Sequence, residues 1–164
     1  MIKYIGVLIL ICSFSMGGFY LSSLKKRRIS QLREIIRFLN DISVMLRFSK
    51  KPIKQMLSDI YKNGYDSLSF ILDVANSNGE VYNSFVFFAE KANLCISYEE
   101  KQLLYDFVKA LGTTDSEGQT ELVMLYKQMF SQRLESVLPE CERQCRLSNS
   151  LGVLLGIFIC IILV

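Results

Sequence analysis

The chain contains no histidine. That removes the commonest general base, the commonest metal ligand and the usual partner of a nucleophilic serine or cysteine. Proline is nearly absent too, with only Pro52 and Pro139, and no long stretch alternates apolar with polar residues. A β-rich fold is therefore excluded. Glycine forms no phosphate-binding loop, since its one doublet, Gly17-Gly18, lies in an apolar run. No carboxylate cluster has metal-ligand spacing. Cys141 and Cys145 stand four apart on a predicted helix, but nothing completes a zinc site around them. The five cysteines are odd in number and lack paired spacing, so they are read as reduced thiols rather than as a secreted disulfide framework. These absences predict no catalytic residue, no metal and no cofactor. The expected role is binding, not chemistry.

Charge is missing from both ends. Ile5 to Leu24 holds no ionisable carboxylate or amine, and Ser150 to Val164 holds no charge and no proline. Twenty helical residues rise about 30 Å, the hydrocarbon thickness of a bilayer. We read residues 1–24 and 148–164 as transmembrane helices and residues 25–147 as the domain between them, near the usual domain size of about 100–150 residues. A cleaved signal peptide is the alternative for the first run. Against it stand the length of the run, the poor cleavage context at Leu21-Ser22-Ser23, and the basic cluster that follows at once. That cluster, Lys25, Lys26, Arg27 and Arg28, sets the topology: positive charge stays inside, so the central domain is expected to be cytoplasmic in a multi-pass protein of the cell membrane. The same cluster suits anionic lipid headgroups. Arg143 and Arg146 flank the second run in the same sense.

The formal charge is +3, but all sixteen acidic residues lie between Glu34 and Glu142, leaving the central domain close to neutral. A nucleic-acid partner is not expected, because such binders concentrate positive charge on the folded domain.

Between the two ends the pattern is helical throughout. Ser30 to Phe48 is amphipathic, with Leu32, Ile35, Ile36, Leu39, Ile42 and Leu46 on one face. Pro52 opens a second helix, with Ile53, Met56, Leu57 and Ile60 inward, and Asn63-Gly64 closes it. A third helix is predicted from Asp66 to about Val74. A fourth, from Val81 to Lys91, carries Tyr82, Phe85, Phe87 and Phe88 as expected core rings. Ser97 and Glu100 form a capping box for a fifth helix that Gly112 ends. Thr114-Asp115-Ser116-Glu117 is a second capping box that opens the last helix, with Leu122, Leu125, Tyr126, Met129, Leu134, Val137 and Leu138 inward. Pro139 is expected to kink that helix or break it. The fold class is all-α: a bundle of about six helices between two membrane helices.

What is left over points to protein contact. Gly152 and Gly156, and Gly17 with Ser13, have the small-residue spacing that lets membrane helices approach closely. Polar residues Thr113, Thr114, Asp115, Ser116, Glu117 and Gln119 exceed what two helix caps need, so this junction is the first candidate partner surface. The basic loop Lys50, Lys51 and Lys54 is the second.

The segments "YIGVLILI…GGFYLS", "RRISQLREIIRFL", "KPIKQML", "LGTTDSEGQ" and "SLGVLLGIFICIIL", in this order along the whole chain, resemble the stage III sporulation protein AB family. Two positions depart from its pattern: Met45, where members often carry an acidic residue, and Pro139, in a stretch that is usually a plain charged helix. The resemblance implies a six-helix cytoplasmic bundle similar to the F-type platform proteins of type II secretion and type IV pilus systems. It also implies a membrane component of the secretion-like channel between mother cell and forespore, on the mother-cell side in the outer forespore membrane. Its implied partners are the secretion-type ATPase, stage III sporulation protein AA, and other membrane proteins of the channel. The alternatives are a platform subunit of a pilus or adherence system, and an exported domain with a cleaved signal and a carboxyl-terminal anchor.

Overall fold

A computed structural model describes the backbone of residues 2–49, 51–113 and 116–163, and the side chains of residues 23–49, 51–113, 117–144, 146, 147, 150 and 154. It is all-α: α1 (Ile2–Phe48), α2 (Ile53–Tyr61), α3 (Ile71–Asn76), α4 (Val81–Lys91), α5 (Tyr98–Ala110) and α6 (Ser116–Leu163). Among the described residues there is no strand, and no helix is long and apolar enough to cross a membrane. The two apolar runs read above as spans, with Gly17, Gly152 and Gly156, fall almost wholly on side chains outside the described residues.

The chain divides into two compact units. Ser30–Glu135 forms one; Met1–Ile29 with Ser136–Val164 forms the other.

The larger unit is built on one face of α1. Leu32, Ile35, Leu39, Ile42 and Leu46 are buried there, as their spacing predicts, and Phe38 joins them. Met56, Leu57 and Ile60 of α2 bury their stripe in the same core, with Ile71 and Val74 of α3, Phe85 and Ala89 of α4, and Leu104, Phe107 and Val108 of α5. Consecutive helices from α2 to α5 pack on one another. Edge-to-face rings tie the layers, with Phe38 against Tyr65 at 6.2 Å, Phe70 against Phe85 at 5.2 Å and Phe107 against Tyr126 at 5.4 Å. In this unit α1 and α6 run antiparallel: Lys127 Nζ donates to Asn40 Oδ1 at 2.8 Å, and Arg47 Nη2 reaches Met124 Sδ at 3.9 Å.

Local signals fix the helix ends. Ser97 Oγ accepts from the Glu100 amide at 3.3 Å, and Glu100 Oε2 accepts from the Ser97 amide at 2.7 Å, so the expected capping box is present. Glu100 is almost wholly buried, a position a carboxylate tolerates only when its oxygens have donors. Gly112 adopts φ +90° just after α5, and a Cβ there would meet Ile53 Cδ1 at 3.0 Å. The left-handed φ is what calls for glycine; the Ile53 methyl would only have to give by a few tenths of an ångström.

Three expectations are corrected and one alternative is excluded. The third helix does not begin at Asp66; residues 66–70 form turns, with Ile71 N–H donating to Leu68 O at 3.0 Å, and α3 starts at Ile71. The reason lies on α1. Glu34 Oε2 takes the Ser67 amide at 2.9 Å, Asp41 Oδ2 takes the Tyr65 hydroxyl at 2.6 Å, and Arg37 Nη2 donates to Asn63 O at 2.6 Å. The loop is held to α1 before the chain can coil. Phe87 is not core but 53 % exposed, because Phe85 and Ala89 set the inward face of α4 and Phe87 stands about 200° from Phe85. Its ring stacks under Lys91 Nζ at 4.1 Å. On α6, Leu125 and Met129 face outward, while Val123 and Phe130, two turns apart, are fully buried. Finally, Pro139 lies inside an unbroken α6, so a break into two helices is excluded.

In the smaller unit, Ile29 and Cys141 are buried. Lys25 Nζ donates to Gln144 Oε1, and Gln144 Nε2 donates to Glu140 Oε1 at 2.9 Å. Lys25, Glu140, Cys141 and Gln144 line a cavity of about 240 Å³ with Arg28 and Val137. Lys26 and Arg27 are exposed.

Candidate functional site

One residue from each surface singled out in the sequence, Lys51 and Gln119, lines the same cavity of the larger unit. Its volume is about 660 Å³. The end of α1 and the turn into α2 give Leu46, Arg47, Phe48, Ser49, Lys51, Pro52, Ile53 and Met56; the other wall is Gly112 and Gln119. The chain is folded this way for local reasons. Pro52 pre-sets the first turn of α2, where its carbonyl accepts from the Met56 amide at 3.1 Å. Gly112 supplies the left-handed turn that brings α6 back beside α1.

The candidate residues divide by what their side chains already do. Lys54 is committed to the fold: its Nζ donates to Ser77 O and Gly79 O, both at 2.7 Å, and so ties α2 to the turn before α4. Thr113 Oγ1 donates to Ala110 O at 2.7 Å and finishes α5. Lys51 Nζ donates to Asp59 Oδ2 at 2.6 Å, while Lys62 Nζ holds the other oxygen of the same carboxylate at 2.8 Å. The Lys51 hydrogen bond, then that of Lys62, then their charges, hold the Asp59 carboxyl down at about 2. One negative charge thus stands against two positive ones. Glu117 is exposed at the start of α6, and Gln119 is half-buried in the cavity wall. Lys50, Thr114 and Asp115 lie outside the described residues, as does the side chain of Ser116.

Four contributors escaped the sequence reading. Arg47 lines the cavity, and among the described residues no carboxylate pairs with it; its polar contact is the Met124 thioether, a weak acceptor. Phe48 is 86 % exposed at the mouth. Val44, one turn earlier on α1, and Met124 across on α6 are each about half exposed. The only available signal was that Val44 and Phe48 are apolar residues four apart but off the buried stripe of α1.

Chemically the cavity offers two cations, one carboxamide and a hydroxyl over an apolar floor of Leu46, Ile53 and Met56. Among the described residues its lining contains no carboxylate and no thiol. Among the described residues, no group of three or more Cys, Asp or Glu side chains is placed to hold a metal ion.

A family model described as stage III sporulation protein AB matches residues 3–164, essentially the whole chain. No curated protein and no solved structure matches it.

Proposed function

From the chain's membership of the stage III sporulation protein AB family, and hence a role in stage III of sporulation, we propose that it is a membrane-anchored platform of the channel between mother cell and forespore. In this reading the helical unit of residues 30–135 stands on the cytoplasmic side and docks a secretion-type ATPase, stage III sporulation protein AA. The protein works by holding another protein and carries out no reaction itself. The observation that carries the docking reading is the meeting of the Lys51 loop and the Gln119 end of α6 around one cavity. Support for anchorage comes from the sequence: two charge-free terminal runs, each continuing a long helix, with Lys25–Arg28 beside one and Arg143 and Arg146 beside the other.

The test is co-purification of the ATPase with the full-length chain from detergent extracts of sporulating cells. Gln119→Trp places a large ring in the cavity wall at a half-buried site. Its expected result is at least a tenfold loss of bound ATPase with thermal stability unchanged. Undiminished co-purification would reject the cavity as the docking surface.

A further inference from the structure

We propose that the cavity between the α1–α2 turn and the start of α6 receives an acidic amphipathic segment of a partner protein. An apolar side chain of that segment enters against Phe48 and Ile53, and carboxylates one turn away from it meet Arg47 and Lys51. The proposal deepens the platform reading and rests on it only in assuming that the occupant is another protein.

Shape and surface come first. About 660 Å³ is the size of a pocket that encloses many heavy atoms, enough for several side chains of one helix face. Its mouth carries the most exposed large apolar side chain of the described residues, Phe48, flanked by Val44 on the same face of α1 and Met124 on α6. A ring left 86 % exposed costs solubility, which is the pattern of an anchor open to cover. A membrane surface is the other apolar occupant. It is flat, and a concavity floored by Leu46, Ile53 and Met56 would stay unfilled against it.

Charge then selects the partner. Among the described residues the lining holds Arg47 and Lys51 and no carboxylate. Arg47 is exposed, and its one polar contact is with the Met124 sulfur at 3.9 Å, so its guanidinium can take a carboxylate in both arms at the cost of that weak contact alone. Asp59 does not neutralise the site, because Lys51 and Lys62 share it. A basic or uncharged segment would leave this charge facing nothing or facing its like, which favours acidic partners and rejects others.

The experiment places p-benzoylphenylalanine at position 48 of the full-length chain in sporulating cells, irradiates, and sequences the cross-linked peptide. The expected product is a peptide of a different protein, joined at an apolar residue with Asp or Glu within four positions. Arg47→Glu, which removes no ion pair of the fold, should lower the cross-linking yield about tenfold, and Arg47→Glu with Lys51→Glu further. Changing the partner's carboxylates to lysine should restore the yield in the Arg47→Glu background. Cross-links to lipid, to a second copy of this chain, or to a segment without carboxylates would overturn the proposal, as would no cross-link or a yield indifferent to Arg47→Glu. An acidic, apolar peptide from a protein other than the ATPase would uphold it while refuting the ATPase as the partner.

Discussion

Phe130→Ala should destabilise the larger helical unit by about 3–5 kcal/mol, the loss expected when a fully buried ring is removed and its cavity is left behind. Leu125→Ala and Met129→Ala, within two turns on the same helix, should each cost less than about 1 kcal/mol, because both side chains already face solvent. Denaturant titration of the full-length chain in detergent micelles measures all three. The comparison is sharper than any one value. If Met129 proved the costly position and Phe130 the cheap one, α6 would be turned by about 100° from its place in the structure.

Asp41→Ala has the second-largest expected effect, about 2 kcal/mol. Asp41 Oδ2 accepts both the Tyr65 hydroxyl at 2.6 Å and Asn63 Nδ2 at 2.9 Å. Removing it leaves a hydroxyl without its acceptor on a tyrosine that is only 5 % exposed. Tyr65→Phe in the Asp41→Ala background should recover part of the loss, since it removes the orphaned group and keeps the ring against Phe38. The same cluster sets an alkaline limit. Burial first, then the hydrogen bond and charge of Asp41, push the Tyr65 phenol well above its ordinary value near 10. The folded chain therefore binds this proton more tightly than the unfolded chain does. That stabilisation is complete below about pH 10 and is lost as pH rises above it toward the folded value. Thermal midpoints recorded between pH 9 and pH 11 should fall more steeply in the native sequence than in Tyr65→Phe. Equal slopes would show that Tyr65 does not hold its proton in this way.

These two sites also show what the sequence made legible. The ends of α2 and α5 were readable because their signals are short and chemical: Asn63-Gly64, Ser97 with Glu100, and Gly112. The buried faces of α1, α2 and α5 were readable because polar residues occupy their other faces. The first half of α6 was not. Leu122 to Phe130 is apolar on nearly every side, so hydrophobicity alone could not choose between Leu125 and Val123, and the choice is made by packing against α1 and α5. The α4 ring cluster failed similarly, with Phe87 left outside by Phe85 and Ala89. The late start of α3 depended on Glu34, Arg37 and Asp41, which hold the loop from more than twenty residues away.

At the candidate site the two loops were each visible as polar excess, but their meeting was not, because proximity between Lys51 and Gln119 is a product of the whole bundle. Arg47 and Phe48 carried no local mark beyond their place off the helix stripe. Lys54 and Thr113 looked alike in sequence to residues free for a partner, yet the fold uses both to tie its own backbone.

The platform reading depends on the chain being held at the membrane by both ends. The most direct measurement is the intact mass of the chain that stays with membranes through an alkaline carbonate wash of sporulating cells. The account predicts the uncut 18.8 kDa chain in the pellet, released only by detergent. A full-length chain freed into the supernatant would contradict it, and so would a membrane-bound form lighter by about 2 kDa, the mass of a removed leader of roughly 20 residues.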